Sequence, residues 1–186
     1  MRKKLAALAL ALVAVVTVSA QTKTVKASES KITWKGYKVT GSHEGTIDLK
    51  SGTLKFDGDK LTGGEFVVDM TTIGATDLEG DMKGKLDGHL KSADFFGTDT
   101  YKTAKLVITK VKSTGKNSYK VTGNLTIKKT TEPITFDMSV YGSKATATLK
   151  VDRSKYDVRY GSGSFFDGLG DKTIYDEFDL VVDLQF

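Results

Sequence analysis

The chain has 186 residues, one proline and no cysteine, enough for one domain with a sizeable core but with no disulfide to hold it and no thiol chemistry. Its formal charge of +5 is partly a property of its first residues. Setting aside Arg2, Lys3 and Lys4 leaves 25 basic residues against 23 acidic ones, a balance of +2 that calls for no nucleic-acid or acidic partner.

Those three cations head an apolar run, Leu5 to Val18, that ends in small residues at Ser19 and Ala20. A charged head, a medium apolar run and a small-residue site form a secretory signal peptide over residues 1–20, with cleavage expected after Ala20. The run is shorter than the roughly 20 apolar residues that span a bilayer. Export to the periplasm or beyond is therefore expected. Residues 21–30 show no periodicity and are expected as a flexible arm.

From residue 31 onward the pattern has period two, the mark of half-buried antiparallel strands. Strands are expected at 31–39, 44–50, 52–57 and 63–71. A short helix is expected within Thr76–Ser92, where Met82, Leu86, His89 and Leu90 fall at helical spacing and Asp77 can cap the start. Gly84 and Gly88 weaken it, so it needs tertiary support. A strand follows at 104–111. The clearest alternation comes next, with Tyr119, Val121, Leu125 and Ile127 on one face of residues 118–127. Ile134, Phe136, Met138 and Val140 form the next row, and Ala145, Ala147, Leu149 and Val151 the one after. Phe178, Leu180, Val182, Leu184 and Phe186 close the chain. Short turns rich in Gly, Asp, Asn and Lys at 57–59, 115–117 and 142–144 suit hairpins. Eight or nine strands with one apolar face each predict an all-β fold, a single antiparallel barrel with a short helical insertion. Closure buries every apolar face and removes exposed edges. A two-sheet sandwich is the alternative.

The residues that could carry chemistry are few. His43 and His89 lie 46 positions apart with no zinc spacing, and the carboxylates Asp167, Asp171 and Asp176 lack the EF-hand order. No catalytic residue, metal site or cofactor is expected. Ser92, His89 and Asp94 could be drawn as a triad, but proximity in sequence is not triad geometry. Arg153 continues the inward row of Ala145, Ala147, Leu149 and Val151. A buried guanidinium needs an anionic partner. That partner is either an internal carboxylate such as Asp94, Asp176 or Glu177, or the head of a ligand at a pocket mouth, with Tyr156, Arg159 and Tyr160 nearby. Two phenylalanine pairs, Phe95–Phe96 and Phe165–Phe166, sit in expected loops. They either pack the barrel ends or close over a guest.

The chain resembles the YceI-like family, secreted lipocalin-like proteins described as polyisoprenoid-binding. The resemblance runs from about Lys31 to Leu184. It is carried by Lys38 to Gly45, by Leu86 to Phe96, by Tyr119 to Ile127, and by Val151 to Ser154. It implies an extended barrel with an apolar pocket for an isoprenoid lipid of the quinone or polyprenyl phosphate type, and a periplasmic address. The expected pocket residues are Trp34, Phe66, Val68, Leu106, Ile108, Leu125, Ile127, Phe136, Met138, Leu149, Val151 and Leu180. Arg153 and Tyr156 join them at the mouth, with Phe95, Phe96, Phe165 and Phe166 as closures. Transient membrane contact and pairing of two barrels are compatible with this reading. An enzyme acting on an apolar substrate and a structural protein with a filled core are its rivals.

Overall fold

The computed structural model describes residues 20–186; the expected signal peptide, but for its last residue, lies outside them. Among the described residues nine strands run in chain order with one α-helix: β1 (Ala20–Thr24), β2 (Lys31–Lys38), β3 (Gly41–Asp57), β4 (Lys60–Ala75), α1 (Gly80–Lys91), β5 (Thr103–Gly115), β6 (Ser118–Ile127), β7 (Thr130–Tyr141), β8 (Lys144–Asp152) and β9 (Glu177–Gln185). Each of β3 to β9 is antiparallel to its predecessor in sequence. β2 pairs with both β3 and β9, which closes β2–β9 into an eight-stranded barrel. A barrel of this size holds packed side chains or one small ligand.

The alternating rows face inward as expected. Val121, Ala145, Val151 and Leu184 are among the most buried side chains. Two expectations give way. Residues 44–50 and 52–57 are one 17-residue strand, not two. Inward positions run Gly45, Ile47, Leu49 and then Gly52, Leu54, Phe56, because a bulge between Leu49 and Ser51 shifts the register by one. An extra residue at a bulge exchanges the two faces of a strand, so a continuous ribbon reads as a broken one in sequence.

The expected loose arm is also structured. Residues 20–24 form β1 on the lower half of β3, and Val25 is buried. The Val25 N–H donates to Gly52 O at 2.9 Å and the Lys26 N–H to Gln185 O at 2.7 Å. Backbone pairing to an otherwise open strand edge orders this segment, which is why it shows no hydrophobic periodicity of its own.

The two barrel ends differ. The end holding the β3–β4, β5–β6 and β7–β8 turns is filled by Leu54, Phe56, Leu61 and Tyr119, with Phe186 stacked on Phe56 at 5.8 Å between ring centres. The other end carries α1 and the long β8–β9 connection, residues 153–176. α1 starts at Gly80 with Glu79 before it, and Asp77 is not its cap. Asp87 fastens it instead, accepting from the Ala75 N–H at 2.7 Å and pairing with Lys83. Met82, expected on the apolar helix face, is exposed, and Leu90 carries the burial.

Gly45 is a point of forced close approach. A Cβ there would lie 1.9 Å from Gly74 O and 2.7 Å from Trp34 Cζ2. Gly45→Ala is expected to cost about 3 kcal/mol in urea unfolding, the upper range for overpacking a site whose neighbours include backbone. Gly63→Ala, where the nearest atom is the Lys55 side chain at 3.8 Å, is expected to change stability by less than about 0.5 kcal/mol. Equal effects at the two positions would contradict this packing.

Candidate functional site

The open end is organised by Arg153, which is 2 % exposed. Its Nε donates to Tyr175 O at 3.2 Å. One terminal nitrogen donates to Val158 O and Tyr160 O, both at 2.9 Å, and the other to Ile174 O at 2.8 Å. The Asp176 carboxylate lies 3.4 Å away as an ion pair without hydrogen-bond geometry. A guanidinium has five N–H groups, and here four backbone carbonyls and one carboxylate surround them. Burial pulls its pKa down, and the charges of Asp176 and Asp152 oppose that pull. Of the two expectations for Arg153, the internal ion pair with Asp176 is the one in place. Four of its five N–H groups are taken by backbone carbonyls, and the Asp176 carboxylate stands beside the guanidinium as its ion-pair partner. It pins the connection across the barrel end, with its guanidinium 5.4 Å from the ring centre of Phe95.

Beneath this pin lies an upper pocket of about 70 Å3, walled by Trp34, Gly36, Phe95, Phe96, Phe178 and Ile174 among others. Gly36 follows Trp34 at the next inward position of β2, and a Cβ at Gly36 would meet nothing within 4 Å. The missing side chain is what leaves the space. One layer deeper, Ile32 and Leu180 replace Trp34 and Phe178 on the same two strands and line a lower cavity of about 80 Å3. Phe66, Val68, Leu106, Leu125, Phe136, Met138 and Leu149 complete its apolar wall. Successive inward positions are about 7 Å apart along a strand, so the two voids are stacked along the axis. Each exceeds the roughly 10–15 Å3 that admits one water, yet the lower one offers water no polar partner.

A third pocket of about 190 Å3 opens beside the upper one and shares Trp34, Gly36 and Phe95 with it. His43, on β3, and His89, in the last turn of α1, both line it. His43 Nδ1 donates to Asp77 Oδ2 at 2.9 Å. Burial works to raise the Asp77 carboxyl, but the hydrogen bonds from His43 and from backbone N–H groups outweigh it and hold it below the usual carboxylate range. His89 lies edge-on to Tyr160 at 4.4 Å and against Phe95 at 5.2 Å. His89 Nε2 and Trp34 Nε1 are buried without a hydrogen-bond partner among the described residues. Ser92 Oγ donates to the His89 carbonyl at 2.8 Å, so this hydroxyl is not directed at the imidazole.

The residues expected at the pocket thus divide. Trp34, Phe95, Phe96 and Arg153 surround the upper void, and Phe66, Val68, Leu106, Leu125, Phe136, Met138, Leu149 and Leu180 the lower. Ile108, Ile127 and Val151 are buried in the packed wall but border neither void. Tyr156 lies elsewhere, beside Pro133 and Ile134 at a hollow between β7 and the turn after β8. There burial, then the charges of Glu132 and Asp152, push its phenol up to about 12. The phenylalanine pairs part company. Phe95 and Phe96 are buried edge to face, 5.0 Å between centres, whereas Phe165 and Phe166 are 40 % and 50 % exposed and close neither void. Gly36, His43 and Ile174 were missed. Gly36 was legible from its parity with Trp34 and His43 from its parity with Gly45 on β3; Ile174 reaches the pocket from the β8–β9 connection, which leaves no pattern. Among the described residues no group of three or more His, Asp or Glu could hold a metal ion.

A closed antiparallel barrel, plugged at one end and holding stacked apolar voids under the other, defines a lipocalin-like protein. The chain belongs to the YceI-like domain family, whose model matches residues 23–186. It is 35% identical over 98 residues to a UPF0312 protein of Pseudomonas putida (strain W619), and 34% identical over 98 residues to one of Pseudomonas fluorescens (strain SBW25). Each match covers 53% of this chain and 49% of the relative, so the matched stretch spans about half the length of these curated relatives. Among solved structures it is similar to BcnA of Burkholderia cenocepacia, with TM-score 0.69, 24% identity, and coverage of 86% of this chain and 98% of that one. It is also similar to a polyisoprenoid binding domain from Saccharophagus degradans implicated in plant cell wall breakdown, with TM-score 0.55, 12% identity, and coverage of 87% and 97%. At these identities the structural likenesses establish the fold.

Two outcomes test the mouth. Arg153→Leu strands one carboxylate and four carbonyls, and is expected to cost about 3–5 kcal/mol in urea unfolding; a cost below about 1 kcal/mol would contradict the pin. For His89, burial lowers the pKa, Asp94 opposes and Arg153 reinforces that shift. The unfolded chain therefore takes up a proton near pH 6.5 that the folded chain resists. This contribution to stability is complete above about pH 6.5 and declines as pH falls toward the folded value. An NMR titration should place the His89 midpoint below 6.5; a midpoint at or above it would show that the ring is not desolvated.

Proposed function

We propose that the barrel is an exported carrier that holds an isoprenoid lipid, of the quinone or polyprenyl phosphate type, with its tail along the axis. One observation carries this reading: two apolar voids are stacked along the barrel axis, and a glycine, where a Cβ would meet nothing within 4 Å, lines the upper one. The solved relative from Saccharophagus degradans is described as polyisoprenoid-binding, which supports the same class of guest. A tail of about 20–40 carbons at about 0.3 kcal/mol per atom supplies roughly 6–12 kcal/mol, which spans affinities from tens of micromolar to about nanomolar without any catalytic group. The voids are narrower than such a tail, so entry requires rotamer shifts, for which the unbranched Met138 is suited.

The rim supports delivery from a membrane. Six of the eight large apolar residues left exposed among the described residues lie at the mouth end: Val39, Met82, Tyr160, Phe165, Phe166 and Tyr175. Aromatic side chains of this kind settle at the boundary between water and lipid. Export itself rests on the charged and apolar pattern of residues 1–20.

Gly36→Leu tests the carrier directly. The added side chain enters open space, so unfolding stability is expected to stay within about 1 kcal/mol. Binding of a four-isoprene lipid, followed by calorimetry, is expected to weaken at least about tenfold as the upper void fills. Undiminished binding in a folded variant would place the guest elsewhere.

A further inference from the structure

We infer that the side pocket between Trp34, His43 and His89 receives the guest's polar head, and that this head is a neutral carbonyl-bearing ring, not a phosphate. The inference rests on the carrier reading and adds the choice between its two lipid types. The pocket adjoins the apolar one: both are bordered by Trp34, Gly36, Tyr37, Leu90, Phe95 and Ile174. A tail in the axial voids therefore places its head here.

The polar atoms in this place are short of acceptors. Trp34 is 7 % exposed, and its Nε1–H, which can only donate, has no partner among the described residues. His89 Nε2 is likewise buried and alone. A carbonyl oxygen satisfies either N–H without bringing a charge into an apolar wall. The tautomer that puts the proton on His89 Nε2 would give the pocket's lining residues two unpaired donors, a suitable match for a ring that bears carbonyls.

The charges around the pocket disfavour an anion. Arg153, a buried cation, has four of its five N–H groups on backbone carbonyls and its charge paired with Asp176. Among the described residues Lys38 is the one lysine or arginine bordering the pocket, and the Asp77 carboxylate stands behind His43. His89 belongs to the last turn of α1, so the carbonyl end of the helix faces this region. That end repels negative charge. A phosphate would thus meet one half-buried lysine, one carboxylate and the wrong end of a dipole.

The full chain can be titrated with three probes of equal tail length: a naphthoquinone bearing a four-isoprene tail, geranylgeranyl monophosphate, and the bare hydrocarbon phytane. Trp34 is the only tryptophan, so its fluorescence reports on the pocket itself. The quinone is expected to quench Trp34 and to bind at least about tenfold more tightly than the phosphate, the equivalent of one good hydrogen bond. Trp34→Phe and His89→Leu, followed by calorimetry, are each expected to weaken the quinone about five- to tenfold and leave phytane within about twofold. The ranking in the native chain stands without either variant folding. Phosphate binding as tight as quinone binding, or variants that weaken phytane equally, would overturn the head assignment. Should phytane bind while the quinone gains nothing over it, only the head assignment falls. Should none of the three bind, the carrier reading falls with it.

Discussion

One buried cation sets the shape of the open end. A guanidinium removed from water is tolerable only when every N–H finds an oxygen, and Arg153 finds its oxygens on the backbone of residues 158–160 and 174–175, with Asp176 beside them. The β8–β9 connection has little regular structure to hold it. Its path across the barrel is fixed by carbonyls converging on one charge. The same group backs Phe95, so the wall of the upper void and the fold of the connection depend on a single side chain. Backbone carbonyls are an exacting set of partners: they satisfy the donors without adding charge, and their positions allow little drift.

The interior is the second constraint. Protein cores are close-packed, and a void persists only where something prevents collapse. Here the hydrogen-bonded ring of strands cannot shrink, and small residues at inward positions, Gly36 and Ala147 among them, leave it unfilled. The opposite end is packed with Leu54, Phe56, Leu61, Tyr119 and Phe186. Stability is thus concentrated at one end and vacancy at the other. This division lets a cavity exist without weakening the whole barrel.

Much of this was legible in the residues, and what was not has specific causes. The rows of β6, β7 and β8 alternate without interruption, so their inward faces follow from period two alone. β3 breaks that rule at its bulge, and β1 is held by pairing and not by pattern. Asp77 has the chemistry of a helix cap, yet His43, 34 positions earlier, takes it. Parity placed Arg153 inside, but backbone carbonyls carry no sequence signature, so four of its partners could not be read. Nearly identical clusters of Phe, Asp and Gly gave one buried pair and one exposed pair. Phe95–Phe96 follows a helix packed on the barrel, whereas Phe165–Phe166 lies in a connection with open solvent above it. Local chemistry was the same, and tertiary neighbours decided.

Occupancy of the voids by an isoprenoid can be read by organic extraction of the purified protein followed by mass spectrometry. An isoprenoid lipid is expected at close to one molecule per chain. Protein that yields none, and takes up none when mixed with such lipids, would contradict the carrier reading.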